Sequence, residues 1–322
     1  MPIRLLIPAA LAAALLLTRL AAVAGDRGPA LPDYPAEEVA PDVFVIHGPV
    51  DYPNPGNQGF MNNPAFLVTD DGVIVVDPGA SVQSGEMVLR QIRKVTDKPL
   101  LAVLNTHVHG DHWLGNQAMR TAAPEVPIYA HPRMIAAIEA GAGTEWIDRM
   151  LRATEGATRG TEAVAPNQTV DDGDVLELGG LTFRIHHFGH QHTHTDLMIS
   201  VPERSLLFLA DNANNGRIVR MDDGSFTGLI AGLEQIRDKV DADVLIPGHG
   251  RTGGWKIVEQ NLEYLRTLHG GVAELFEEDV SDFEMKPVIA ERLSAFSDWP
   301  GFDEELGKHI SLAYLEVEAD AF

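Results

Sequence analysis

Cysteine is absent from all 322 residues of the chain. Its absence excludes disulfides, iron–sulfur clusters and thiolate metal ligands, and suits a protein exported to an oxidising space. Basic residues are scarce. There are 24 Lys and Arg against 47 Asp and Glu, a formal charge of −23. Arg4 and Arg19 fall in the first 24 residues, so the remainder is more acidic still. A surface of that sign repels phosphate backbones and anionic lipid, which excludes nucleic acid and the membrane surface as expected partners. A membrane-length apolar stretch is also missing: the run over residues 5–17 is too short to span a bilayer. It follows Arg4 and precedes a small-x-small site at Ala22-Val23-Ala24, the pattern of a secretory signal over residues 1–24. The expectation is a periplasmic or secreted protein starting near Gly25, with no stable membrane association after cleavage. An uncleaved N-terminal anchor is the alternative.

What remains is ordinary for a globular protein, with 45% apolar and 22% charged side chains. Residues 25–42, rich in Pro, Gly and acids, read as a flexible lead-in. Strand patterns follow at 43–47, 65–69 and 73–76, then a helix from Ser81 to about Lys94 and a strand at 100–104. Helices are expected at 113–121 and 132–140, with a strand at 127–130 between them and a further helix over 145–153. Strands return at 175–178, 181–186, 197–201 and 206–209. A helix over 226–240, a strand at 244–246 and a long helix over 255–276 complete residues 43–280. Residues 281–322 read as a C-terminal helical extension, split by Trp299-Pro300-Gly301, which completes the fold or forms a homodimer contact. Two halves of strands followed by helices predict an α/β protein with two sheets packed face to face and helices outside.

The chemistry concentrates at Thr106-His107-Val108-His109-Gly110-Asp111-His112, directly after a predicted strand. Alternation places His107 and His109 on one side of an extended segment, and Gly110 lets the backbone turn so that Asp111 and His112 aim at a second point. Imidazole and carboxylate suit zinc, iron, nickel or manganese. Further donors flank other predicted strands: His190, His192 and His194 before 197–201, Asp211 after 206–209, and His249 in Pro247-Gly248-His249-Gly250. Strand ends are rigid mounts for such a site.

In these motifs the chain resembles the metallo-β-lactamase superfamily, over roughly residues 43–250. The resemblance implies a four-layer αββα sandwich of two mixed β-sheets flanked by helices. It implies two zinc ions per chain, iron or manganese being alternatives, with His107, His109 and His192 on the first and Asp111, His112 and His249 on the second. Asp211 would bridge them. His192 fits the family's His-Thr-x-Gly-Asp pattern, with Thr195 in place of the glycine; His194 is the alternative, and His190 and His194 otherwise support the site or are solvated. Asp77, in the place of the family's Asp-x-Gly turn, is expected to organise the metal loop from behind.

Two divalent ions about 3.5 Å apart repel by roughly 19 kcal/mol at an effective dielectric near 20, so a carboxylate between them is a physical requirement. The implied reaction is attack by a metal-bridging hydroxide on a small carbonyl substrate (thioester, ester, lactone or lactam), with Asp111 orienting the nucleophile and moving its proton. An aspartate at 211, where β-lactamases of the family place Cys or Ser, points to the glyoxalase II-like branch. The alternatives are a mononuclear iron persulfide dioxygenase and a non-catalytic metal-binding or interaction protein. For the substrate, Tyr52, Phe60 and Met61 sit on a loop in the place of the family's site cover, and Arg217 and Arg220 are the candidates for a substrate anion.

Overall fold

A computed structural model describes residues 27–321. The predicted signal segment lies outside the described residues. No helix among them is long and apolar enough to cross a membrane.

Seven strands form the first sheet in sequential order: β1 (Glu37–Ala40), β2 (Val43–Val45), β3 (Ala65–Val68), β4 (Val73–Val76), β5 (Leu100–Leu104), β6 (Ile128–Ala130) and β7 (Gln168–Thr169). Pairing is antiparallel from β1 to β4 and parallel from β4 to β7. The second sheet runs β12 (Val244–Pro247), β11 (Leu206–Ala210), β10 (Met198–Val201), β9 (Leu181–His186), β8 (Val175–Leu178), with only β11 and β12 parallel. Both sheets are therefore mixed, as expected.

Side-chain alternation assigns each face. Ile74 and Val76 of β4 join Leu104, Phe183, Ile199 and Phe208 in a core between the sheets. Val73 and Val75 point the other way, onto Met87, Val88 and Ile92 of α1 (Val82–Val95). On the far side, Leu207, Leu209 and Leu245 pack against α6 (Phe226–Lys239) and α7 (Lys256–Glu277). The result is the predicted αββα sandwich. Helix α1 starts where it does because Ser81 caps it. The Ser81 hydroxyl accepts from the Ser84 N–H at 3.1 Å, and the Ser84 hydroxyl accepts from the Ser81 N–H at 2.9 Å.

The short helices α2 (Gly110–Trp113), α3 (Asn116–Ala122), α4 (Pro132–Ala137) and α5 (Gly143–Ala153) crown one end of the sandwich. Between α4 and α5 a π-helical turn, Ile138–Ala142, carries a kink at Gly141, whose φ is +124°. Trp113 anchors this crown, wholly buried with Met134, Ile138 and Met150, and its indole N–H donates to the Val108 carbonyl at 2.8 Å. Trp113→Ala is expected to cost about 3–5 kcal/mol in chemical denaturation. Helices α8 (Asp282–Arg292) and α9 (Phe302–Ala321) put Met285, Ile289, Leu306 and Ile310 into the same core as Leu265 and Leu268 of α7. The C-terminal segment thus thickens the outer helical layer.

One expectation fails. From residue 27 to 42 the chain is docked, not a loose lead-in. Leu31 is 1% exposed, its carbonyl accepts from Arg90 of α1 at 2.7 Å, Asp33 pairs with Arg90 and Lys94, and residues 37–40 are strand β1. The apolar anchors Leu31 and Tyr34, sparse among Pro and acids, secure it to the outer face of the first sheet.

Candidate metal centre

The ends of β5, β10, β11 and β12 converge beneath the crown. After β5, the Thr106 carbonyl accepts from Leu197 N–H at 2.9 Å, and Val108 N–H donates to the Thr195 hydroxyl at 3.0 Å. Thr195, which departs from the family glycine, therefore ties the two sheets together across the site. Two groups of donors result. His107, His109, His192 and Asp211 form one, and Asp111, His112 and His249 the other; within each, one donor atom per residue lies within 4.8 Å of the rest. The structure brings all seven sequence-predicted donors together. His190 and His194 belong to neither: their rings stack on each other at 3.6 Å, and His190 Nε2 lies 2.8 Å from the Asp223 carbonyl.

Asp211 stands between the groups. Its Oδ1 is 3.3 Å from His112 Nε2, while Oδ2 is 3.3 Å from His249 Nε2 and 3.6 Å from His192 Nε2. Ala210, at the end of β11, holds it there in a left-handed conformation (φ +49°), strain of a kind that persists where surrounding structure over-determines it. Asp77, at the end of β4, also has positive φ (+51°). Its Oδ1 accepts from Thr106 N–H at 2.9 Å; Oδ2 accepts from the Thr106 hydroxyl at 2.6 Å and from His112 Nδ1 at 2.8 Å.

Four of the five imidazoles have one ring nitrogen engaged by an oxygen. His112 uses Nδ1 on Asp77, His249 uses Nδ1 on the Met61 carbonyl at 2.8 Å, and His109 uses Nε2 on Asp223 at 3.2 Å. His107 Nδ1 lies 3.1 Å from the Thr106 hydroxyl, whose own proton goes to Asp77. In His107, His112 and His249 these contacts leave Nε2 to face the centre, as a metal ligand requires, while His109 turns Nδ1 to within 3.0 Å of His192 Nε2. His107 Nε2, His112 Nε2 and Asp211 Oδ1 are buried there without a hydrogen-bond partner. Orphaned buried atoms of this kind are costly, and a cation satisfies them. The donor set therefore fits divalent metal ions.

Electrostatics divide the groups. Burial, reinforced by neighbouring histidines, pushes His107 well down and His192 to about 3, so both are neutral bases. Burial opposes charge at His112 too, but Asp211, Asp111 and Asp77 outweigh it and hold this imidazole well above its ordinary value. The second group draws positive charge. Burial likewise raises Asp196, to about 7, beside the first group.

A cleft opens over the donors, lined by Pro53, Met61, Trp146, Met150, Arg149, Asn214, Arg217, Arg220, Asp222 and Asp223 among others. Of the predicted substrate residues, Met61, Arg217 and Arg220 reach it. Phe60 does not: it is fully buried against Tyr34 in the outer core, with ring centroids 4.8 Å apart. Tyr52 stands behind the wall, its ring 5.7 Å from Arg217 Cζ and its hydroxyl donating to Glu305 at 3.3 Å. With residues 57–63 buried, this segment is floor, not lid. Sequence reasoning missed Trp146, Arg149 and Met150 of α5, and Asp223.

A family model, described as the metallo-beta-lactamase superfamily, matches residues 58–249, from the floor segment to the last donor. The chain belongs to the metallo-beta-lactamase superfamily. Among its relatives, the linear primary-alkylsulfatase of a Pseudomonas species is 27% identical over 67% of this chain and 46% of the sulfatase. The hydroxyacylglutathione hydrolase of Gloeobacter violaceus is 27% identical over 67% of this chain and 72% of that enzyme. The metallo-beta-lactamase IND-1 of Chryseobacterium indologenes is 24% identical over 65% of this chain and 80% of its own length. The chain thus spans about half the length of the alkylsulfatase it matches. Among solved structures, a metallo-beta-lactamase from Pontibacter korlensis superposes with TM-score 0.58 at 17% identity, over 72% of this chain and 98% of that one. The sec-alkyl sulfatase PisA1 superposes with TM-score 0.67 at 18% identity, over 88% of this chain and 50% of that one. These superfamily relatives are hydrolases.

Proposed function

We propose that the protein is a dinuclear, zinc-dependent hydrolase of a small thioester, ester, lactone or lactam. The observation that carries this reading is Asp211, whose carboxylate touches both donor groups: Oδ1 lies 3.3 Å from His112 Nε2, and Oδ2 lies 3.3 Å from His249 Nε2 and 3.6 Å from His192 Nε2. His107, His109 and His192 would hold one ion and Asp111, His112 and His249 the other, with Asp211 shared. Ions held there lower the pKa of water at the site and polarise the substrate's reacting oxygen. Asp111, whose Oδ2 lies 3.3 Å from His249 Nε2 and 3.5 Å from His112 Nε2, is placed to take the proton of the attacking water and return it to the leaving group. Asp77 keeps His112 and Thr106 in register while this happens. Trp146, Met150 and Met61 exclude water along one wall of the cleft. The cysteine-free composition and the N-terminal apolar run support a periplasmic or secreted location.

A second reading, hydrolysis of a sulfate ester, is favoured by the similarity to two alkyl sulfatases. One experiment separates them. Protein purified without added metal is assayed for zinc, manganese and iron, then tested on thioester, ester, lactone, β-lactam, phosphodiester and alkyl sulfate substrates. The expected result is two zinc ions per chain and turnover of a carbonyl substrate. Turnover confined to alkyl sulfates would establish the second reading. A single iron per chain, with oxygen consumed on a persulfide, would overturn both.

A further inference from the structure

Outside the donor groups, a second set of titratable side chains gathers where the ends of β6, β7 and β9 meet. His131 follows β6 and caps α4, Asp171 and Asp172 follow β7, and His187 follows β9. The His131 and His187 rings stack with centroids 4.1 Å apart and 29° between their planes. His131 is 3% exposed and His187 is half-buried. His131 Nε2 lies 3.3 Å from Asp171 Oδ1, and the His187 backbone N–H donates to Asp172 Oδ1 at 3.0 Å. Arg133 of α4 and His194 of the following loop also lie near the pair.

Hydrogen bonds fix both rings as neutral tautomers. His131 Nδ1 accepts from the Arg133 N–H at 3.2 Å, so its one proton sits on Nε2, toward Asp171. His187 Nδ1 lies 2.8 Å from the Asp196 carbonyl, which only accepts, so that nitrogen carries the proton. A further proton on His131 would meet the Arg133 N–H, donor against donor, and uncap α4. With His187 charged as well, two cations would stand 4.1 Å apart. Burial, reinforced by His187 and Arg133 against the pull of Asp171, accordingly holds His131 below its ordinary value.

What the pair holds is the loop that carries His192. The carbonyl bonded to His187 belongs to Asp196, whose carboxylate accepts from the Thr193 N–H at 2.6 Å and from the Thr193 hydroxyl at 2.9 Å. Thr193 is the residue next to His192. We propose that His131 and His187 are positioning residues for the first donor group: stacked and neutral, they lock the His192 loop, and protonating the pair unlocks it. The assignment depends on the metal-holding part of the proposed function and on none of its substrates. Folding stability follows the same sign. A histidine held below its ordinary value contributes fully above about pH 6.5, and that contribution is lost as pH falls.

The test is zinc competition against a chromophoric chelator at about pH 7.5 and about pH 5.5, either side of the imidazole range. Thermal unfolding of the same samples accompanies it, on the native protein, His187→Ala, His187→Asn and His131→Phe. At the higher pH, His187→Ala is expected to weaken zinc binding about 10–100-fold, as for loss of an orienting partner. His187→Asn should recover part of this, because its amide N–H can reach the Asp196 carbonyl. His131→Phe keeps a flat ring against His187 and takes no proton. Between the two pH values the native protein should therefore lose at least about tenfold more affinity than His131→Phe, the factor that one pH unit of proton coupling amounts to. Equal acid loss in the two proteins would overturn the proposal. So would a lowered melting midpoint in His187→Ala with zinc binding unchanged, which is what a purely structural contact gives. Should His131→Phe fail to melt cooperatively, His187→Asn decides the pH dependence: a smaller acid loss than native supports the proposal and an undiminished one overturns it. A protein that holds no zinc, yet loses melting temperature below about pH 6.5 only when His131 is present, would remove the metal reading and leave the pair as an acid-sensitive lock. Zinc bound with the same acid loss in every variant would do the reverse.

Discussion

Asp211→Asn is expected to lower turnover by at least about 10²–10³-fold, the range seen when one group stabilising developing charge is lost, and to leave fewer than two metal ions per chain after dialysis. The substitution preserves shape and removes one negative charge from the point where both donor groups meet. His112, His192 and His249 all lie within 3.3–3.6 Å of that carboxylate. Without it, two dications would share only Asp111 as a protein anion, and their mutual repulsion would expel one. Metal analysis by atomic emission, with kcat on the best substrate of the panel, checks both parts. Two retained ions and unchanged turnover would remove Asp211 from the bridging position.

Gly248→Ala should have an effect of similar kind from a residue without functional groups. A Cβ built at Gly248 falls 1.9 Å from Asp211 Oδ1, 2.9 Å from the Ala210 carbonyl carbon and 3.1 Å from its oxygen. The backbone cannot retreat, because Gly248 N–H donates to Ala210 O at 2.7 Å and the Gly248 carbonyl accepts from Asn63 N–H at 2.9 Å. The carboxylate must swing away. The expected outcome is a metal affinity about 10–100-fold weaker, as for loss of an orienting partner, with destabilisation of about 1–3 kcal/mol from overpacking. Competition with a chromophoric chelator measures the first and denaturant unfolding the second. Affinity equal to the native protein's would show that Asp211 is not held by this strap.

Both substitutions concern donors that were legible in the sequence, and the reason is geometric. His107 to His112 fall within six consecutive residues after β5, and Asp211 and His249 each follow an apolar strand, so local pattern and strand-end placement together located them. The sandwich was legible because each half sets strands before helices, and β4 and β11 are continuous apolar runs, as strands buried on both faces are. The cleft wall was not. Trp146, Arg149 and Met150 lie on a helix whose approach to His109 depends on the kink at Gly141 and on packing against Trp113, neither of which has a sequence period. Phe60 sits in a loop without periodicity, where an apolar side chain can face the core or the substrate, and it faces the core. Leu31 and Tyr34 failed as signals because two anchors among prolines and acids resemble a linker until the groove that receives them is known.

The contacts of Tyr52 with Glu305 and Arg217 carry a consequence for how such a protein diversifies. Every donor atom comes from residues 107–249, within or beside the matched family region, whereas Glu305 lies beyond it. The donors and part of what braces the cleft wall are therefore written in separate stretches of the chain. A change at Glu305 is felt at the donors through Tyr52 and Arg217, whose Nη1 lies 3.0 Å from His249 Nδ1, so the outermost helix and the centre cannot drift independently.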